Sequence, residues 1–376
     1  VNFAFSDEQE AFRETLRRFC QERLSVAEVR RLMEAPEGFD RGVWKQMAAE
    51  LGLQGLAIPE ACGGQGFGFL ELGIALEEMG RELAGGPFFA TTCLAARAIQ
   101  HAGDEAQRRA WLPRIASGEA VATLAVTEAA GAETPDGVHA ECRRDGEGWR
   151  VSGDKRLVLA GVQADLVVVA ARAPGSRGEA GVSLLVVEGS APGVAPTPLE
   201  TLDPTRKQAD LRFEGAPARL LGREGGGWPA LARTLDEARI AQSAEMVGGA
   251  ARCLEMAVGY AKERVQFGRP IGSFQAIQHK AAEVLLELEL AKSAAYWAWW
   301  VAETGRADLT EAASLAKSVA GDAYLRAAQE NVHIHGGIGF TWEHDAQLFL
   351  KRAKASDALF GDAAAQRSRL AERLGI

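Results

Sequence analysis

Two segments of this chain place side chains in an order that a generic helix does not need. The first is Glu263-Arg264-Val265-Gln266-Phe267-Gly268-Arg269-Pro270-Ile271-Gly272-Ser273-Phe274-Gln275, with an arginine, an aromatic, a turn and a glutamine in succession. Arg264 carries a permanently charged fork suited to phosphate oxygens; the bland alternative for it is an interhelical salt bridge. The second is His335-Gly336-Gly337-Ile338-Gly339-Phe340, whose paired glycines let a ligand approach the backbone closely. His333 and His335 invite a metal reading, but residues two apart on a helix do not share a face, and no carboxylate neighbours them at ligand spacing, so no metal site is expected. Gly225-Gly226-Gly227-Trp228-Pro229 lacks the Lys-Ser or Lys-Thr that follows a phosphate-binding loop, and it reads as a linker.

These segments need elements to hold them. Ser6-Asp7-Glu8-Gln9 has the form of a capping box and predicts a helix starting near residue 7. Apolar spacings of three and four (Phe12, Leu16, Phe19, Leu24), broken at Pro36, Pro59 and Gly63-Gly64, predict a helical domain over residues 1–117. Short β-branched runs such as Val121–Val126, Leu166–Ala170 and Val182–Val187 predict a β domain, a barrel or sandwich, over 118–222. The helical period then returns over 230–266, 275–304 and 309–333. Val284, Leu285, Leu288, Ala291 and Ala295 make one stripe there, so residues 223–376 are expected to form a four-helix bundle. Tyr296, Trp297, Trp299 and Trp300 point around the whole helix and are expected to be buried in the bundle or in a subunit interface.

Composition narrows the classes. With 376 residues, 47% apolar, the chain can bury two or three packed units. A net charge of -9 gives no excess of Lys and Arg for nucleic-acid phosphates. Val1 to Gln9 lack the basic start and apolar core of a signal peptide, and no apolar run approaches the roughly 18 residues of a membrane helix. Five cysteines, odd in number and without CxxC spacing, are expected to be reduced thiols, so the expected location is the cytoplasm.

The Arg264–Gln275 and His335–Phe340 segments resemble the signatures of the acyl-CoA dehydrogenases. Pro59-Glu60-Ala61-Cys62-Gly63-Gly64-Gln65-Gly66 and Thr127-Glu128 extend the resemblance over essentially the whole chain. It implies an α+β fold with an N-terminal helical domain, a middle β domain and a C-terminal helical bundle. It also implies FAD as cofactor, an acyl-CoA substrate, a tetramer, and an electron-transferring flavoprotein as electron acceptor. In the family, a carboxylate removes the α-proton of the thioester while the β-hydrogen leaves as hydride to the flavin.

The resemblance assigns Arg264 to the pyrophosphate of a neighbouring subunit's FAD, Phe267 and Gln275 to its adenosine end, and Gly336 and Gly337 to a close backbone approach. His333 stands where Gln is usual and can still donate a hydrogen bond. Asp236 and Arg239 match positions near the CoA and thioester end. The usual catalytic Glu falls twenty residues beyond Phe340, at Phe360, directly before Gly361; the minority slot beside Arg239 holds Ala238. Glu237, next to that slot, points about 100° away on a helix. Asp362 and Asp357 flank the first slot as candidate bases, with a helix-start cap as the alternative for Asp362.

Contacts that a family subunit makes to its own FAD are altered. Thr127-Glu128-Ala129-Ala130-Gly131-Ala132-Glu133-Thr134 puts Glu133 at the usual Ser, and Leu157-Val158-Leu159-Ala160 replaces the usual Trp-Ile-Thr segment. The expectation is a subunit that completes the FAD site of a homologous catalytic partner acting on bulky CoA thioesters such as steroid side chains. The alternatives are a self-sufficient homotetramer with a displaced base and a flavin oxidase of the same fold.

Overall fold

The computed structural model describes residues 5–129, 131 and 133–376; Val1–Ala4, Ala130 and Ala132, which the sequence readings touch, lie outside the described residues. Helices α1 (Asp7–Arg23), α2 (Val26–Met33), α3 (Arg41–Leu51), α4 (Phe69–Arg81), α5 (Ala96–Ala102) and α6 (Glu105–Ala116) come first. Strands β1 (Ala122–Ala125), β2 (Glu141–Asp145), β3 (Gly148–Leu159), β4 (Leu166–Arg172), β5 (Val182–Glu188), β6 (Val194–Leu199) and β7 (Gln208–Leu221) follow. The rest is α7 (Trp228–Glu263), the short strands β8 (Val265–Gln266) and β9 (Arg269–Pro270), α8 (Gln275–Thr304), α9 (Leu309–His335), α10 (Ala346–Ala358) and α11 (Ala363–Leu374). The chain forms two compact units: Val1–Arg30 with Phe69–Ala84 and Asp236–Ile376, and Arg31–Gly68 with Gly85–Leu235.

In the first, helical unit the capping box forms: Ser6 Oγ accepts from the Gln9 amide and the Gln9 side chain accepts from the Ser6 amide. Ion pairs hold α1 to α4, buried Arg13 to Glu77 at 2.9 Å and partly exposed Arg17 to buried Glu78 at 2.9 Å. Tyr296 on α8 donates its hydroxyl to Glu77 at 3.0 Å. Of the aromatic run only Trp299 is fully buried; Tyr296, Trp297 and Trp300 are half-buried. Helices α7 and α9 run in the same direction, linked by Asp236 and Thr310 at one end and by stacked Tyr260 and His335 rings at the other.

The fourth long helix of the expected bundle is replaced by α10 and α11. The chain breaks between them because Phe360 and Gly361 both take positive φ, 61° and 89°, which no continuing helix accommodates. Among the described residues no helix is long and apolar enough to cross a membrane. All five cysteines are buried, and none forms a disulfide.

In the second unit the sheet closes on itself. Strand β4 pairs with β2 on one side and β5 on the other, and β2-β3-β7-β5 completes the ring, while β1 adds to β4 and β6 to β7. Inward residues such as Val151, Val167, Val169, Leu185, Val187, Leu211 and Phe213 fill it. Lys155 on β3 is fully buried, and its ammonium donates to Glu128 at 2.6 Å and to the Val126 carbonyl at 3.0 Å. Glu128 also accepts from the His139 and Ala140 amides, so the pair pins the segment between β1 and β2 to the barrel wall.

Lys155→Met strands the Glu128 carboxylate without its cation, and denaturant unfolding should show a loss of about 3–5 kcal/mol. Burial lowers the Lys155 ammonium from its ordinary 10.5 to about 8, against the pull of Glu128. Between those pH values the unfolded chain holds this proton more fully than the folded one. The stability of the wild type relative to K155M should therefore rise with pH through that window. A difference that falls over the same range would contradict the assignment.

Candidate functional site

The Arg264 segment is a hairpin anchored at the end of α7. The Arg264 amide donates to the Tyr260 carbonyl at 2.8 Å, and the Ile271 amide returns to the Arg264 carbonyl at 2.8 Å. Val265 lies opposite Pro270 and Gln266 opposite Arg269, which leaves Phe267-Gly268 as a two-residue turn with φ of 54° and 78°. A turn with both residues left-handed matches the twist of paired strands, but it strains a non-glycine residue such as Phe267. That ring is 93% exposed. Phe274 braces the hairpin, with its edge toward Phe267 and the Arg269 guanidinium 4.1 Å from its centroid.

Arg264 is exposed and makes no side-chain hydrogen bond or ion pair among the described residues, so the salt-bridge alternative is not realised. Gln275 opens α8, also exposed. At the end of α9, His333 is exposed with Nδ1 3.4 Å from Glu330, while His335 is buried between Tyr260 and His344. Burial lowers the pKa of His335, against the pull of its bond to the Asn331 carbonyl. The two histidines thus face different surroundings. Gly336 has a φ of 65°, and a Cβ on it or on Gly337 would meet no atom within 4 Å. The stack of Tyr260 on His335 brings the hairpin and the two glycines to the same end of the helical unit. An unpaired guanidinium, an exposed ring and open glycine backbone are features that fit the pyrophosphate and adenosine of FAD.

The base slots look different. Phe360 is 8% exposed, and its carbonyl accepts from Arg239 Nε at 3.1 Å and Gln366 Nε2 at 2.7 Å. Arg239 also donates to Asp236 at 3.1 Å, and the Asp236 carboxylate further takes Arg369 at 2.6 Å and the Thr310 hydroxyl at 2.7 Å. The two residues expected near a thioester are thus engaged with one another and with α9, α11 and the Phe360 turn. Ala238 and Glu237 are fully buried. Asp362 is the exposed N-cap of α11, accepting from the Ala365 amide at 2.8 Å, and half-buried Asp357 accepts from the Ala363 amide at 3.2 Å.

Lys317 was not singled out from the sequence. Its ammonium donates to the carbonyls of Ser356, Asp357 and Gly361 at 3.0–3.1 Å. The available signal was a lysine on the same face of α9 as Ala313 and Ala320, both buried.

In the barrel unit Leu157 takes a φ of 54° and is 52% exposed, beside a register shift in the β3–β7 pairing. Val158, Leu159 and Ala160 are buried. None of the four side chains offers a hydrogen bond to the polar edge of a flavin ring. Glu133 is half-buried at the position the resemblance gives to Ser.

Asp236→Ala leaves the Arg239 guanidinium buried without its carboxylate and should lower stability by about 3–5 kcal/mol in denaturant unfolding. Asp362→Ala should lose about 1 kcal/mol of cap stabilisation, whereas Asp362→Asn keeps the cap and leaves desaturation by the assembled enzyme intact. Abolished turnover in a stable D362N protein would instead make Asp362 the base.

Family models for acyl-CoA dehydrogenase match in three parts: the N-terminal domain over residues 6–119, the middle domain over 123–216 and the C-terminal domain over 225–375. Acyl-CoA dehydrogenase IpdE2 of Mycobacterium tuberculosis is 32% identical over 353 residues, 94% of this chain and 93% of that protein. Among solved structures, a Tcur3481-Tcur3483 steroid ACAD variant is 32% identical with a TM-score of 0.87, covering 98% of each chain. The ChsE4-ChsE5 complex from Mycobacterium tuberculosis is 26% identical with a TM-score of 0.89, covering 100% of this chain and 99% of that one. The chain belongs to the acyl-CoA dehydrogenase family, whose members carry out FAD-dependent dehydrogenation of acyl-CoA thioesters.

Proposed function

We propose that this chain is the subunit of a heteromeric acyl-CoA dehydrogenase that completes the FAD site of a homologous catalytic partner and does not itself carry the base. The observation that supports this most is an asymmetry. Arg264 stands exposed without a side-chain partner and Phe267 stands exposed on a formed hairpin, while the base slot holds Phe360 and its flanking acids are tied to helix amides. In this reading Arg264, Phe267, Gln275, His333, Gly336 and Gly337 face the partner's cofactor. Asp236 and Arg239 brace the Phe360 turn. The FAD, when bound, supplies the hydride acceptor, and this chain's contribution is to hold its phosphates and adenosine end. The likeness to a steroid ACAD and to a two-component complex supports a bulky CoA thioester as the substrate class. The family resemblance implies an electron-transferring flavoprotein as acceptor.

Purified alone in FAD-supplemented buffer, the chain should carry well below one FAD per polypeptide, measured by visible absorption after denaturation. Co-expressed with its partner it should yield a yellow complex. In that complex Arg264→Ala removes a charge-assisted contact of about 1.5–3 kcal/mol and should weaken FAD retention on the order of 10- to 100-fold. One tightly bound FAD per chain in the isolated protein would defeat the proposal and favour the homotetramer.

A further inference from the structure

Three rings form a ladder behind the hairpin and the paired glycines. Tyr260, near the end of α7, stacks on His335, the last residue of α9, with centroids 4.4 Å apart and 27° between the planes. His335 in turn meets the ring of His344, two residues before α10, at 4.3 Å and 47°. The middle ring is buried and the outer two are half-buried. Apolar packing reaches only part of this region. Ala257, Ala261 and Ile334, with Ile271 beside them, make a small cluster that ends along α9 at Ile334. The rings carry the connection on, from α7 past the glycine turn to the segment that leads into α10.

Backbone bonds fix how the two imidazoles sit. A carbonyl can only accept, so the 2.8 Å bond between His335 Nδ1 and the Asn331 carbonyl puts a proton on Nδ1. An amide can only donate, so the 3.1 Å bond from the Ala346 amide makes His344 Nδ1 an acceptor, and the proton of that ring is on Nε2. Neither ring can turn without losing its bond. The ladder also ends where the ligand-facing pieces begin. The Tyr260 carbonyl takes the Arg264 amide at 2.8 Å, and Gly336 follows His335 directly. The turn folds back tightly on this histidine, since a Cβ on Gly339 would lie 2.8 Å from His335 Cβ. An aliphatic residue at 335 or 344 would pack, but it would make neither backbone bond and would not hold a stacking distance.

We infer that Tyr260, His335 and His344 are positioning residues for the FAD, holding the Arg264 hairpin and the Gly336-Gly337 turn at the separation that the pyrophosphate and adenosine require. The inference rests on the proposed role of the hairpin toward a partner's FAD and adds the residues that set its geometry. Without the stack the two pieces move independently, and binding must then supply the cost of ordering them.

The test follows FAD release from the FAD-loaded complex after dilution, read as the rise in flavin fluorescence. Tyr260→Phe keeps the ring and should release FAD at the wild-type rate. Tyr260→Leu and His335→Gln each remove a ring and should speed release on the order of 3- to 10-fold, the factor that one ring stack supplies. The apparent Kd for FAD should rise by the same factor while kcat at saturating FAD is unchanged, a split that general loosening of the fold does not produce. Should H335Q fail to fold, His344→Gln removes a half-buried outer ring and carries the same expectation. Arg264→Ala tests the underlying reading separately: unchanged release there sinks the role of the hairpin, and this inference with it. Faster release in R264A beside wild-type release in the ring variants overturns the inference alone, as does a Y260F complex that loses FAD as fast as Y260L.

Discussion

The helical unit depends on a requirement imposed by its own break. Ending α10 and starting α11 around Phe360 and Gly361 leaves the carbonyls of Ser356, Asp357, Phe360 and Gly361 without continuing helix amides, in a buried region where water does not substitute freely. Lys317 covers three of them, and Arg239 and Gln366 cover the fourth. Arg239 then needs its own counter-charge, which Asp236 provides, and Asp236 in turn gathers Thr310 and Arg369. One strained turn thus commits charged residues on α7, α9 and α11.

That commitment explains why the slot and the hairpin behave so differently. At the slot Arg239, Lys317 and the Phe360 carbonyl are all committed to protein partners, and the position that the family resemblance gives to the base holds a phenyl ring, which cannot accept a proton. At the other end of α7 and α9 the backbone is equally well defined, by the β8–β9 pairing and the Tyr260–His335 stack, yet its charged and aromatic side chains reach outward. A surface preorganised in this way loses little freedom when something binds it.

The barrel unit follows the same rule about buried charge with two outcomes. Lys155 meets Glu128 and becomes a pin for the segment after β1; Arg172 meets only neutral acceptors, the carbonyls of Pro135, Val138 and Ser176 and the Ser176 hydroxyl. Neither was visible in the sequence. Lys155 sits in a β strand of mixed polarity, and Arg172 ends an apolar run where a charge reads as the start of a solvated loop. Which of the two would find a carboxylate depended on Glu128, 27 residues from Lys155, arriving beside it through barrel closure.

Sequence alone determined the features written in local pattern. The capping box at Ser6, the three long helices, the β-branched runs of the barrel and the glycine-rich turns were legible because periodicity and turn chemistry act between near neighbours. Residue type also sufficed to show that Phe360 and Ala238, the positions that the family resemblance gives to the base, are not acids. Tertiary structure decided what the remaining charged residues do. Asp236 and Arg239 became a brace, Asp362 a cap, Lys317 a clamp on carbonyls, and Arg264 a free cation. A charge buried among helices and one facing solvent have the same letter in the sequence, and only packing sets the distance and dielectric that separate them.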